Sequence, residues 1–121
     1  YGWKEGSGRV RVKDRKQTTV WKCDRTDEKK VHPTMKPVEL CQRAVENSSD
    51  VNGIVLDLFG GSGSTLIACE KTARDCRMME LDPKYCDVIV KRWQAFTGQE
   101  ATLESTGQTF AEMTEARHVP A

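Results

Sequence analysis

The chain has 121 residues, of which 37% are hydrophobic and 31% are charged, and its formal net charge at pH 7 is +1. This length allows one small domain with a modest core, and the small net charge excludes a polycation that binds nucleic acid by charge alone. No apolar run approaches the roughly 18 residues that a transmembrane helix needs, so no membrane contact is expected.

The five cysteines and the N-terminal residues indicate the cellular compartment in which the chain is expected to function. An odd number of cysteines without a Cys-x-x-Cys pair disfavours a disulfide framework or a zinc site, so no metal site is expected. Cys41, Cys69 and Cys86 lie among apolar residues of predicted helices, as small buried thiols of a reducing cytoplasm do. The chain starts with Tyr1 and shows no signal-peptide core, so we expect a cytoplasmic protein and an excised domain or fragment.

Residues 1–31 are predicted to form a basic, β-rich segment. Arg9–Val12 and Thr18–Trp21 form short alternating stretches, which predict the two strands of a hairpin. Between Arg9 and Lys30 there are nine Lys or Arg residues and four Asp or Glu residues. This charge pattern is typical of a protected edge strand and also suits contact with a phosphate backbone, and both interpretations stay open.

An ordered turn leads into the first helix. Residues 32–37 read His-Pro-Thr-Met-Lys-Pro, and Pro37 suits the first position of a helix that the apolar spacing predicts over about 37–48. A continuous apolar run then predicts a parallel strand over about 54–59, buried on both faces. A glycine-rich turn follows this strand and opens a second helix over about 63–73.

The next part of the chain repeats this alternation. A second buried strand is predicted over about 76–81. Asp82 and Pro83 are typical of a helix start, and the apolar spacing extends this third helix to about Phe96. Gly98 is a typical helix-ending glycine.

Residues 99–121 are a polar tail. A short strand is predicted at Ala101–Leu103, followed by disorder from about residue 105 onward. The order of helix, strand, glycine turn, helix, strand and helix indicates an α/β protein with one βαβ unit and flanking helices. Two parallel strands do not form a stable sheet alone, so we expect either dimerisation or a larger doubly wound domain.

The glycine turn has three interpretations. A Walker A loop requires a lysine after its last glycine, but Gly63 is followed by Ser64. A dinucleotide fingerprint requires a third glycine where Leu66 stands, and the carboxylate of Asp57 would repel a pyrophosphate at the helix N-terminus. S-adenosylmethionine carries an ammonium, a sulfonium and a ribose, and it suits a site that contains Asp57.

Glu80 supports the third interpretation. It lies at the end of the predicted second strand, 23 residues after Asp57, and the carboxyl ends of adjacent parallel strands meet at one edge of a sheet. Its two oxygens match the two vicinal hydroxyls of a ribose. The alternative without a ligand is that Glu80 is a surface residue and that Asp57 caps a turn.

Three motifs in this order resemble the C-terminal part of DNA amino-methyltransferases, which modify adenine N6 or cytosine N4. They are His32–Pro37, Asp57–Thr65 and Glu80–Tyr85, and the similarity extends over about residues 18–97. The order resembles the permuted arrangement in which the cofactor motifs come last, most closely in enzymes of phages and prophages. The resemblance implies a partial Rossmann-like fold that depends on S-adenosylmethionine, with residues 32–98 as its cofactor-binding subdomain.

The resemblance also implies roles for individual residues. The glycine turn would wrap the methionine half of S-adenosylmethionine, Thr34 and Lys36 would approach its carboxylate, and Glu80 would hold the ribose. Thr65 would donate a further hydrogen bond. The implied cofactor-binding residues are Thr34, Lys36, Asp57, Phe59, Gly60, Gly61, Ser62, Gly63, Thr65 and Glu80.

The family's catalytic tetrapeptide is an Asp, Asn or Ser followed by Pro-Pro and an aromatic residue that stacks on a flipped base, and this sequence does not contain it. The similar run Asp82–Tyr85 opens a predicted helix, whereas the catalytic motif requires an extended backbone. No catalytic residue is therefore assigned, and the chain alone is expected to be inactive. The expected partners are double-stranded DNA and a missing N-terminal catalytic part or a second copy.

Two other hypotheses stay open at this point. One is a non-catalytic module that binds S-adenosylmethionine or DNA within an assembly. The other is a fragment of a nicotinamide-dependent oxidoreductase.

Overall fold

The computed structural model of this chain describes residues 5–6, 14, 16–23 and 35–118. It confirms the predicted order of helix, strand, glycine turn, helix, strand and helix, and one further helix follows. The elements are α1 (Val38–Ser48), β1 (Ile54–Asp57), α2 (Ser64–Thr72), β2 (Asp75–Met78), α3 (Pro83–Thr97) and α4 (Phe110–His118). None of the helices within the described ranges has both the length and the hydrophobicity needed to cross a bilayer.

Within the described residues, β1 and β2 form a parallel sheet, and α2 is the crossover between them. The register pairs Ile54 with Asp75 and Asp57 with Met78, so both strands end at the same edge. The second strand is shorter than the predicted 76–81. Glu80 therefore stands in the loop after β2 rather than in the strand itself.

Local sequence signals define both ends of α3 as predicted. The Asp82 carboxylate accepts a hydrogen bond of 2.9 Å from the backbone N–H of Lys84, and Pro83 occupies the first helical position. Gly98 ends the helix with a φ of 71°, a left-handed conformation that favours glycine. The predicted start of α1 next to Pro37 is also confirmed.

The helices cover one face of the sheet and leave the other face exposed. α1 packs on α2, and α2 packs on β2 and α3. The buried apolar side chains are Val45, Ile67, Ala68, Cys69 and Ile89. On the opposite face, Ile54 and Leu56 are 67% and 66% exposed. The prediction that this strand is buried on both faces is therefore wrong for the described residues, because α1–α3 provide cover on one side only.

The stretch Thr18–Trp21, predicted as a strand, forms a bend instead. The indole N–H of Trp21 donates to the Thr18 carbonyl at 3.0 Å, and local side-chain bonds of this kind compete with strand pairing. The Arg43 guanidinium of α1 lies over the Trp21 ring, 4.7 Å from its centre. The other strand of the predicted hairpin, Arg9–Val12, lies outside the described residues.

The tail contains structure up to residue 118, which corrects the prediction of disorder. Thr102 pairs with Thr109 in one antiparallel bridge, where the sequence predicts a short strand, and α4 follows. The Thr109 hydroxyl accepts from the Glu112 N–H at 3.2 Å, and the Glu112 carboxylate accepts from the Thr109 N–H at 2.8 Å. This reciprocal capping box stabilises the start of α4, and its Thr-x-x-Glu pattern is visible in the sequence.

Candidate cofactor site

The turn between β1 and α2 needs its glycines for two different reasons. Gly61 and Gly63 have φ values of 56° and 78°, which residues with a side chain rarely adopt. Gly60 instead lies against β2 and α3. A Cβ atom at Gly60 would stand 2.7 Å from the Sδ of Met78 and 3.0 Å from the Cδ1 of Ile89. The turn therefore passes so close to both elements that a side chain at Gly60 would displace it.

The carboxylates of Asp57 and Glu80 are both bonded to the backbone around this turn. Asp57, the last residue of β1, accepts from the Phe59 N–H at 3.0 Å. Glu80 accepts from the Gly61 N–H at 2.7 Å through one oxygen and from the Asp82 N–H at 3.0 Å through the other. The fold thus brings two acids that are distant in sequence to the same glycine turn.

Lys36 and Thr65 lie near the starts of α1 and α2. The Lys36 carbonyl accepts a hydrogen bond of 2.7 Å from the Ser64 hydroxyl, and its side chain is exposed. Thr65 is hydrogen-bonded to the Cys41 thiol. Burial raises the pKa of that thiol, and the bond to Thr65 lowers it in part. Thr34 lies outside the described residues, so its role stays a prediction.

Two apolar side chains next to the acids are exposed to solvent. Phe59 is 87% exposed and Leu81 is 97% exposed. Phe59 is among the residues implied by the resemblance, whereas Leu81 is not. The sequence signal for Leu81 is an apolar residue between two acids, Glu80 and Asp82, just after the second strand. Exposed apolar groups beside polar ones are typical of contact with a ligand or another protein.

A contribution from α3 was also missed. The Arg92 guanidinium donates to the carbonyl of Ser62, inside the glycine turn, at 3.0 Å. The sequence signal for this contact is weak, because an arginine in an amphipathic helix ordinarily faces solvent.

The described residues offer no metal cluster, and burial raises the pKa of the Cys41, Cys69 and Cys76 thiols. No group of three or more His, Cys, Asp or Glu side chains among them is arranged to hold a metal ion. All five cysteines are free, and burial raises the pKa of the Cys76 thiol to about 12, so this thiol stays protonated at neutral pH. The run Asp82–Tyr85 opens α3, as predicted, and does not form an extended segment.

A sequence profile of the family described as DNA methylase matches residues 3–91. The chain belongs to this DNA methylase family. Type II methyltransferase M.HinfI from Haemophilus influenzae is 34% identical to this chain, over 71% of this chain and 21% of the length of M.HinfI. The putative methylase YubD from Escherichia coli strain K12 is 44% identical to this chain, over 45% of this chain and 24% of the length of YubD.

Solved structures show the same relationship. M1.HpyAVI in complex with SAM has a TM-score of 0.61 and 28% identity to this chain, over 71% of this chain and 43% of M1.HpyAVI. TTHA0409 is a putative DNA modification methylase from Thermus thermophilus, complexed with S-adenosyl-L-methionine. It has a TM-score of 0.50 and 38% identity to this chain, over 52% of this chain and 27% of TTHA0409. These similarities confirm a partial, Rossmann-like α/β methyltransferase fold. The chain spans about a fifth to a third of the length of the curated relatives it matches.

Proposed function

We propose that this chain is the cofactor-binding C-terminal part of a DNA methyltransferase that methylates the exocyclic amino group of adenine (N6) or cytosine (N4). The observation that carries this proposal is the meeting of Asp57, Glu80 and the glycine turn at one edge of the sheet, in a member of the DNA methylase family. Two similar solved structures are complexes with S-adenosylmethionine, which supports the same cofactor here.

The charges at the turn fit this cofactor better than a dinucleotide. The N–H groups of a helix N-terminus attract phosphate, but Asp57 and Glu80 place two carboxylates beside them. These charges would repel a pyrophosphate and attract the ammonium and sulfonium groups of S-adenosylmethionine. A nicotinamide-dependent oxidoreductase is therefore not favoured.

The residues of this chain would hold and orient S-adenosylmethionine, which supplies the methyl group when it is bound. The N–H groups of Gly61 and Asp82 fix the orientation of the Glu80 carboxylate, so that this charged acceptor is preorganised for the ribose hydroxyls. The residues expected to line the methionine half are Asp57, Phe59, Gly60, Gly61, Ser62 and Gly63, with Thr34, Lys36 and Thr65 beside them.

Catalysis would need a further segment of polypeptide, because the Pro-Pro-aromatic tetrapeptide does not occur in this sequence. We assign the catalytic residues to a preceding part of the domain, to which residues 1–31 would also belong. The whole enzyme would act on double-stranded DNA in the cytoplasm.

The exposed face of the sheet supports such a larger assembly. It carries Ile54 and Leu56 of β1 beside the exposed Asp75 and Arg77 of β2, with the exposed Leu58 and Met79 beyond the strand ends. Parallel sheets are ordinarily covered on both faces. We expect the preceding part of the enzyme, or a second copy of the chain, to cover this one.

The alternative, a non-catalytic module that holds S-adenosylmethionine within an assembly, is less well supported, because the similar curated proteins are methyltransferases. The two candidates share the cofactor site and differ in methyl transfer. Expression of the chain together with the segment encoded before Tyr1 separates them. Transfer of labelled methyl groups to double-stranded DNA would support the enzyme, and its absence would support the binding module.

Calorimetry of the chain with S-adenosylmethionine, its demethylated product and NAD tests the cofactor assignment. We expect the first two to bind and NAD not to bind. Asp57→Asn should weaken binding, whereas Asp75→Asn, which removes an exposed carboxylate at the opposite edge of the sheet, should not. Binding of NAD alone, or equal effects of the two substitutions, would contradict the proposed function.

A further inference from the structure

The glycine turn is attached to α3 through Arg92. The Nη1 atom of its guanidinium lies 3.0 Å from the Ser62 carbonyl oxygen, 3.2 Å from the Ser64 Oγ and 3.4 Å from the Ser62 Oγ. Ser62 and Ser64 are both buried. The acceptors of these contacts therefore belong to buried residues, while Arg92 itself is half-buried, and a charged donor makes such hydrogen bonds stronger than neutral ones.

Ser64 extends this attachment to the segment before α1. Its hydroxyl donates its one proton to the Lys36 carbonyl, 2.7 Å away. Toward Arg92 and toward the Ser62 hydroxyl, 3.4 Å away, Ser64 therefore acts as the acceptor. A directed chain of hydrogen bonds runs from α3 through the glycine turn to Lys36.

A different element holds the neighbouring residue of the turn. The Gly61 N–H donates to Glu80, which follows β2, while the Ser62 carbonyl accepts from Arg92 on α3. Two adjacent residues are thus fixed by side chains from two elements. Ser62 stands between Gly61 and Gly63, both in the left-handed region. Glycine has more backbone conformations open to it than other residues have, so these bonds restrict a segment that would otherwise vary.

We propose that Arg92 is a positioning residue, which holds the glycine turn and, through Ser64, the Lys36 segment in the conformation that binds S-adenosylmethionine. The inference rests on the proposed function, since Arg92 acts through the turn and not by touching the cofactor. Preorganisation raises affinity because the turn is ordered before the ligand arrives. The loss of Arg92 should therefore reduce cofactor affinity beyond any general loss of stability.

Arg74 provides a matched control. It is more deeply buried than Arg92, which is half-buried, and it donates to the Ser49 carbonyl at 2.8 Å and to the Thr72 carbonyl. These bonds join the end of α1 to the end of α2, at the opposite end of α2 from the glycine turn. Arg74→Met should therefore lower the melting temperature and leave the turn unchanged.

The first measurement is calorimetric binding of S-adenosylmethionine to the full chain and to Arg92→Met, Arg92→Lys and Arg74→Met, each well below its melting temperature. We expect the Kd to rise at least tenfold in Arg92→Met. The rise should be smaller in Arg92→Lys, because lysine retains the charge and part of the donor capacity. Arg74→Met should change the Kd less than twofold. Equal Kd values in Arg92→Met and Arg74→Met would overturn the inference.

Amide hydrogen exchange gives a second readout, without ligand. The N–H groups of Gly61 and Gly63, which donate to Glu80 and to the Gly60 carbonyl, should exchange at least tenfold faster in Arg92→Met than in Arg74→Met. A uniform acceleration of all amides would indicate a merely structural role and overturn the inference. If Arg92→Met does not fold, the Kd values and the exchange rates of Arg92→Lys and Arg74→Lys are compared in the same way.

The two proposals fail differently. Absence of S-adenosylmethionine binding to the unmodified chain would overturn the proposed function, and with it the cofactor role of Arg92. Binding to the unmodified chain with the same Kd in Arg92→Met would overturn the inference alone.

Discussion

The Glu80 carboxylate accepts a hydrogen bond of 2.7 Å from the backbone N–H of Gly61, and this bond joins the loop after β2 to the turn after β1. Because the two strands are parallel and adjacent, their carboxyl ends meet at one edge of the sheet. Glu80 and Asp57 therefore face the same turn as a consequence of sheet topology. Substitutions at this edge and on the surfaces around it test that arrangement.

Glu80→Gln should weaken S-adenosylmethionine binding by about 1–3 kcal/mol, the usual scale for losing a hydrogen-bonded charged partner. The substitution keeps the shape of the side chain but replaces one acceptor oxygen with an NH2 group, so that the side chain can accept from only one of the Gly61 and Asp82 N–H groups. Calorimetry measures the change, with Asp75→Asn as the control of equal charge change at the opposite edge. An equal loss in both variants would indicate a general charge effect and contradict the assignment of Glu80.

Gly60→Ala should lower the free energy of unfolding by about 1–3 kcal/mol, because the new Cβ would overlap Met78 and force the turn to move. It should also weaken cofactor binding. Gly98→Ala is the control. The φ of 71° at Gly98 should make this substitution lower the free energy of unfolding by about 1–2 kcal/mol, although no atom lies within 4 Å of the added Cβ. Denaturant unfolding and calorimetry should show both losses for Gly60→Ala and only the stability loss for Gly98→Ala. Unchanged affinity in Gly60→Ala would mean that the turn does not shape the site.

Leu56→Lys should change the free energy of unfolding of the chain by less than about 0.5 kcal/mol, because the side chain is exposed. It should nevertheless prevent association through the exposed sheet face, since a second positive charge beside Arg77, the register partner of Leu56, would be buried there. Sedimentation over a range of protein concentrations detects that association, and Glu46→Lys on the exposed side of α1 is the control. If Leu56→Lys associates like the unmodified chain, this face is not the contact surface.

Stability should fall with alkaline pH because burial, with the nearby Cys69 thiol, raises the pKa of Cys76 to about 12. Below about pH 8 the thiol is protonated in the folded and the unfolded chain, so it adds no pH dependence. Between about pH 9 and 12 only the unfolded chain releases this proton, which lowers stability by up to about 1.4 kcal/mol per pH unit.

Urea unfolding at several pH values measures this slope. Cys76→Ala should reduce it, while Cys41 and Cys69, whose pKa values burial also raises, should retain part of it. Cys23→Ala, in the segment before α1, is the control. An identical slope in Cys76→Ala and the unmodified chain would contradict the burial of this thiol.

The sequence predicts best where short-range signals decide the structure. α1 and α3 lie where the apolar spacing places them, and Asp82 and Gly98 cap α3 as expected. The failures have physical causes of their own. Thr18–Trp21 is held in a bend by its own side chains, and the capping box between Thr109 and Glu112 orders a segment whose polar composition suggests disorder.

By itself, the sequence determined the order of the elements, the glycine turn and the acids that follow the two strands, because periodicity, caps and glycines act over a few residues. Only the tertiary structure decided how the turn is held. Arg92 and Ser62 are 30 positions apart, and the packing of α3 brings them together without any local pattern that marks the contact. The tertiary structure also decided that one sheet face is exposed. A continuous apolar run looks the same whether or not the chain contains the layer that covers it.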